Sequence, residues 1–232
     1  MRAINVTSDG TVDISLEGIT ENPLINGIEI IDNSVATTPG AGGVLLKESV
    51  DASATPTSAA TTANSVFDWS TVRGAFIVNG TLYYGLPDGG FYARTFNSST
   101  GVVGAQRTVS LNDDPDDATR IPFDIANLTG MFYDTATHRI YYTLFGDSRL
   151  FFRGFTPESE VVGAITLVAD SNGVDFGLVQ GMTLAGGQIL YGSAGDGALR
   201  SVTFSGGRVT GSPSVTSNDG SWHYRAIVVP SA

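Results

Sequence analysis

The chain has 232 residues, 41% of them hydrophobic, which is enough for a sizeable core without disulfide or metal staples. Against 23 acidic residues stand only 12 basic ones, and the net charge of −11 argues against nucleic acid and against docking on anionic membranes, since both need clustered Lys and Arg. The absence of Cys excludes disulfides, thiolate metal sites and Cys nucleophiles.

No apolar run approaches the roughly 18 residues of a membrane span, so no membrane insertion is expected. The N-terminus lacks a basic region followed by an apolar stretch, so no signal peptide is read there. Charged residues are only 15% of the chain, with 29 Gly and long Ser and Thr runs, the composition of a turn-rich β protein with an uncharged polar surface. Such surfaces are common in secreted proteins, so an extracellular or cell-surface location is expected, with this chain as part of a longer protein.

In chain order, Val12-Asp13-Ile14-Ser15-Leu16 alternates apolar and polar residues and predicts a half-buried strand. A second strand is predicted at Ile28-Glu29-Ile30-Ile31, after turn signals at Asn22-Pro23 and Asn26-Gly27. Residues 34–64 are rich in Ala, Ser, Thr and Gly, and 51–64 read as a long flexible loop. This gives two regions, an N-terminal one over 1–33 and a repeat domain over 34–232.

The repeat domain carries one unit four times. One half of the unit reads Gly74-Ala75-Phe76-Ile77-Val78, Gly130-Met131-Phe132-Tyr133, Gly181-Met182-Thr183-Leu184 and, more weakly, Arg225-Ala226-Ile227-Val228. An Asp stands six residues before each start, at Asp68, Asp124, Asp175 and Asp219. The other half is a short apolar strand at 45–50, 91–96, 150–155 and 199–204. Between them lie strands with paired large residues (Tyr83-Tyr84, Tyr141-Tyr142, Leu190-Tyr191) and turns at Asp88, Asp147 and Asp196.

Units of this length built from four short strands read as propeller blades. The starts lie 56, 51 and 44 residues apart, which suits a ring of four. The fourth blade is split: its outer strands (44–50 and 65–69) come from the front of the domain and its innermost strand (224–229) from the end. Completing one blade from both ends removes free edges. The expected fold is therefore an all-β, four-bladed β-propeller, with a β-trefoil as the rival. The leading Gly of each unit suits close packing of innermost strands near the axis.

The segment Asp9-Gly10-Thr11-Val12-Asp13-Ile14-Ser15-Leu16, followed by Asn22-Pro23-Leu24-Ile25-Asn26-Gly27-Ile28-Glu29-Ile30, resembles the closing two strands of a malectin or malectin-like domain. That family is a β-sandwich that binds carbohydrate. The loops in which it holds sugar have no counterpart in this chain, so no ligand residue carries over. The repeats after Trp69 look like the propeller-type region that follows malectin modules in large secreted bacterial proteins. The resemblance implies an extracellular, multi-domain setting, with other domains of a larger protein as neighbours and polysaccharide as the favoured ligand.

The chemistry-bearing residues point mostly to structure. The two His, His138 and His223, lie in a turn and at the start of the last strand, and no nucleophile elbow, zinc-binding His pair or phosphate loop is present. Asp88, Asp147 and Asp196 suit turn chemistry; Asp68, Asp124, Asp175 and Asp219 suit loops held by side-chain to backbone bonds. Asp113, Asp114, Asp116 and Asp117 are the candidate metal ligands, for a hard cation such as calcium, with a solvated acidic loop the expected state. No other cofactor is expected.

Candidate ligand-binding residues are Trp69, Arg73, Tyr84, Tyr142 and Trp222, aromatics and one cation at or near the loops where propellers bind. The functional expectation is a non-enzymatic binding or scaffold module with carbohydrate as favoured ligand. The alternatives are a glycan-active enzyme with carboxylates in the central channel and a structural spacer in a surface assembly.

Overall fold

The computed structural model describes residues 45–47, 61–63, 68–97, 101–102, 104–112, 120–218 and 220–229. All of them belong to one compact unit, Ala36–Ala232. The strands expected at 12–16 and 28–31, the malectin-like segment, the 33/34 boundary, Asp219, and the candidate metal ligands Asp113, Asp114, Asp116 and Asp117 lie outside the described residues.

Among the described residues there are seventeen short strands and two 3-10 turns, with no α-helix. A first hairpin pairs β1 (Leu45–Lys47) with β2 (Thr61–Ala63). β2 falls inside the stretch expected to be loop: Thr-Thr-Ala offers no apolar alternation, but β-branched Thr suits extended backbone and ladder bonds need no apolar pattern. The second outer strand, expected at 65–69, is not seen where it can be described, because Trp69 instead opens a 3-10 turn, Trp69–Thr71.

Three antiparallel meanders follow. The first blade has β3 (Arg73–Val78), β4 (Thr81–Gly85) and β5 (Phe91–Asn97), edged by β6 (Gly101–Val102) and β7 (Arg107–Thr108). The second has β8 (Leu128–Asp134), β9 (Arg139–Leu144) and β10 (Phe151–Thr156), edged by β11 (Val161–Val162) and β12 (Leu167–Val168). The third has β13 (Val179–Ala185), β14 (Gln188–Ser193) and β15 (Leu199–Ser205), edged by β16 (Arg208–Val209) and β17 (Ser214–Ser217).

In each blade the fourth strand is broken in two, both pieces pairing with the third strand. The tight turns follow from their residues: Asn79-Gly80 joins β3 to β4 with φ of 51° and 67°, the left-handed pair that a two-residue hairpin requires. Among the described residues the sheets remain separate meanders, joined between repeats by an isolated Leu111–Val162 bridge and by no ladder, unlike the shared barrel of a β-trefoil.

The blades pack face to face, so adjacent residues of one strand enter two different cores. Phe76, Tyr83 and Phe91 of the first blade meet Met131, Tyr142, Phe151 and Phe155 of the second. Phe132 and Tyr141 on the second blade's other face meet Met182, Ile189, Tyr191 and Phe204 of the third. Both members of each aromatic pair are therefore buried. Fully buried Arg153 donates to Thr166 Oγ1 (2.7 Å), Ile121 O (2.9 Å) and Gly163 O (3.2 Å), tying the third strand of its blade to the loop that enters it. Arg107 and Glu160 pair across the first two blades, with Tyr83 Oη also donating to Glu160 at 3.0 Å.

The gap between the third and first blades is filled by residues 222–229. Ala226 and Val228 pack on Trp69, Ala75, Ile77 and Tyr84 of the first blade. Trp222, Tyr224 and Ile227 pack on Leu190 and Leu199 of the third. The expected strand at 224–229 is not a regular one: among the described residues one backbone bond joins it to the first blade, Gly74 N donating to Arg225 O at 3.3 Å. An innermost strand draws its ladder from the second strand of its own blade, and no hairpin partner follows this one among the described residues.

Candidate functional site

The innermost strands are placed by their leading small residues. At Gly74 an added Cβ would stand 3.0 Å from Met131 Cβ; at Gly130, 2.6 Å from Met182 Cβ; at Gly181, 3.0 Å from Ile227 Cγ1 and from Tyr224 O. Each glycine thus packs on the residue just after the matching position of the next copy. Met131, Met182 and Ile227 are equivalent, so Ala226, not Arg225, takes the glycine place of the fourth copy. The terminal segment is the fourth member of the ring, one residue out of the register that the sequence suggests.

One consequence is a set of four equivalent side chains, Arg73, Thr129, Gln180 and Arg225, each immediately before its packing position. In the three complete blades the strand bulges at this point, between Arg73 and Ala75, Leu128 and Gly130, and Gln180 and Met182. The framework repeats while these residues do not, which marks the start of the innermost strands as the end of the molecule where chemistry varies.

At this end Thr129 and Thr143 share a hydroxyl contact of 2.8 Å, and Gln180 Oε1 lies 3.2 Å from His223 Nδ1. Arg73 Nη1 donates to Val72 O (3.2 Å) and Thr71 O (3.4 Å). Burial, and then the charge of Arg225, hold Arg73 below the ordinary guanidinium range. Two large apolar side chains are exposed here: Phe145, 82% accessible, whose N–H donates to Asn127 O just before β8, and Leu178, 63% accessible, just before β13.

Of the residues expected to bind a ligand, Arg73 alone stands in this ring. Trp69 and Tyr84 are buried together against the terminal segment, Tyr142 lies between the first two blades, and Trp222 is buried on the third. Their rings are buried and offer no face to a ligand. Tyr84 Oη donates to Gln106 and accepts from Arg94 Nε, both at 2.8 Å, and Tyr142 Oη lies 3.0 Å from Thr166 Oγ1. The Trp222 indole N–H is the one buried side-chain polar atom without a hydrogen-bond partner among the described residues.

Thr129, Gln180 and Arg225 escaped the sequence reading because only the offset of the fourth copy aligns them with Arg73. Phe145 was legible as an apolar residue in a turn, Leu144-Phe145-Gly146-Asp147.

The repeated carboxylates hold turns. Asp88, Asp147 and Asp196 accept from the backbone N–H two residues on, at 2.8, 3.0 and 3.2 Å. Asp68 and Asp175 do the same for Ser70 and Gly177, at 2.9 and 2.8 Å, while Asp124 takes the side-chain amide of Asn127. Asp196 also pairs with both terminal nitrogens of Arg200, at 2.6 and 2.8 Å. The Arg200 guanidinium and then the Ala198 N–H hold its carboxyl well below the usual carboxylate range.

A lowered folded-state pKa stabilises above the unfolded value and fades as pH falls through the folded one. Asp196→Asn is therefore expected to lower the melting temperature at pH 7 and to lose that difference as the pH drops below about 4. A difference constant with pH would contradict this. His138 is exposed in a left-handed turn (φ 53°) and touches Tyr133 Oη at 3.1 Å.

No family model and no curated protein matches the chain. Among solved structures, the nidogen/laminin complex aligns at 13% identity and TM-score 0.40, over 77% of this chain and 59% of that one. A putative 6-phosphogluconolactonase from Bacteroides uniformis aligns at 14% and 0.38, over 77% and 55%. The PQQ-bound aldose sugar dehydrogenase from Streptomyces coelicolor aligns at 13% and 0.34, over 82% and 83%. The chain thus spans less than two thirds of the first two. Similarity this weak carries no argument about the site. The class rests on the chain's own topology: an all-β, propeller-type ring of antiparallel meanders.

Proposed function

We propose that the chain is a non-enzymatic binding module of an extracellular, multi-domain protein, and that it holds a glycan at the end of the ring where the innermost strands start. The observation that carries this reading is the set Arg73, Thr129, Gln180 and Arg225, polar residues that vary inside a repeated frame, flanked by exposed Phe145 and Leu178. Hydroxyl and guanidinium groups beside an apolar ring match a saccharide, whose edges are polar and whose faces carry C–H groups. The carbohydrate class itself comes from the malectin-like segment at 9–30. The neighbouring carboxylates of Asp68 and Asp175 accept bonds from their own loops, which supports binding over hydrolysis.

Affinity electrophoresis through gels containing neutral and acidic polysaccharides tests this. Retardation by at least one polysaccharide is expected, weakened several-fold in Phe145→Ala through loss of stacking worth about 1 kcal/mol. Free migration in every gel would refute the glycan reading.

A further inference from the structure

We infer that Arg73 and Arg225 together form an oxyanion site, and that the glycan or other ligand held at this end carries a carboxylate or sulfate group. This deepens the reading above, from a glycan to an acidic one, and stands on separate observations. The Gly74 N–H to Arg225 O bond of 3.3 Å sets the two residues side by side on adjacent innermost positions, although they are far apart in sequence. Acidic residues outnumber basic ones 23 to 12 in this chain, yet neither guanidinium has a carboxylate at ion-pair distance among the described residues.

Arg107, Arg149 and Arg200 are each paired with an acid, as these two are not. Two like charges at neighbouring positions repel unless an anion lies between them. The burial of Arg73 sharpens the point, since a partly desolvated cation gains most from a counter-charge.

The donors are available. Arg73 spends Nη1 on Val72 O and Thr71 O, which fixes the guanidinium, while its Nε and Nη2 make no hydrogen bond among the described residues. Arg225 is exposed and makes no side-chain hydrogen bond among the described residues. Two planar forks with unspent N–H groups suit a group that presents several oxygens, which is the geometry of carboxylate and sulfate. Gln180 and His223, linked at 3.2 Å on the neighbouring copy, supply neutral polar contacts for the rest of the ligand. In a chain of net charge −11 an anion is repelled at long range, so its binding requires such a local pair.

The test is calorimetric titration at about 0.15 M salt, where charges beyond roughly 8 Å are screened. Three probes are used: sodium sulfate, a galacturonate oligomer and a neutral hexose oligomer. Arg73→Gln and Arg225→Gln are compared with wild type and with Arg208→Gln, which removes an exposed charge on β16. Binding of the galacturonate oligomer or of sulfate, weakened about tenfold or more by each of the first two variants and unchanged by the third, is expected, since each guanidinium supplies charge-assisted bonds to the anion.

Sulfate bound through the pair with no oligosaccharide bound would keep the oxyanion site and remove the glycan reading. A neutral oligomer bound equally by all four proteins, with no anion bound, would keep the glycan reading and overturn the oxyanion site. Equal anion affinities in all four proteins, or no anion bound by any, would also overturn it. Because Arg225 is exposed, its variant keeps the test informative even where Arg73→Gln perturbs the loop.

Discussion

Removing residues 222–232 is expected to lower the melting temperature by more than about 10 °C. Trp222, Tyr224, Ala226, Ile227 and Val228 all leave apolar contacts with the first and third blades. At about 1.5–3 kcal/mol for each large buried side chain, the loss is of order 5 kcal/mol or more. In a domain of this size each kcal/mol shifts the midpoint by about 2–4 °C. The cut also exposes the paired faces of two blades, so the remaining chain should associate as it unfolds. Differential scanning calorimetry of the two chains decides the matter. An unchanged midpoint would make the segment an appendage and the ring an open row of three blades.

Gly130→Val is expected to be strongly destabilising. The new Cβ would meet Met182 Cβ at 2.6 Å, Val179 Cγ1 at 3.0 Å and the Met182 backbone N at 3.2 Å. Those atoms belong to the next innermost strand, so relief requires one blade to move against another. Overpacking of a tight core costs about 1–3 kcal/mol and occasionally more, and this position lies at the upper end because backbone is involved. Gly154→Val in the same blade is the control, since a Cβ there meets nothing within 4 Å. It should be neutral or slightly stabilising, because Val suits a strand better than Gly. Equal urea midpoints for the two variants would mean that the innermost strands are not packed as described.

The repeats were legible in the sequence because blade structure is written in local signals. Gly74, Gly130 and Gly181 announce the close approach at the axis, and Asp88, Asp147 and Asp196 announce their turns. Those features depend on one residue and its immediate neighbours. What was not legible depends on two faces at once. A strand residue shows its period but not whether the opposite face is packed, so Tyr84 and Tyr142 read as available rings when Trp69 and residues 226–228 cover the first and a second blade covers the other.

The register of the last copy was hidden for the same kind of reason. Arg225-Ala226-Ile227-Val228 aligns with Gly130-Met131-Phe132-Tyr133 by position from Asp219 and Asp124, whereas packing on Gly181 puts Ile227 where Met131 stands. Only that contact brings Arg225 level with Arg73. The site at the start of the innermost strands is therefore a product of closure, and no window of sequence contains it.

The most direct test of closure is a set of nuclear Overhauser contacts in methyl- and amide-labelled protein. Cross-peaks are expected from Ile227 methyls to the Gly181 Hα protons and from Ala226 and Val228 methyls to Ala75 and Ile77. The Gly74 amide, bonded to Arg225 O, is expected to exchange slowly. Narrow random-coil signals for residues 222–229, with no contact to either blade and a rapidly exchanging Gly74 amide, would contradict a ring whose fourth innermost member is residues 222–229.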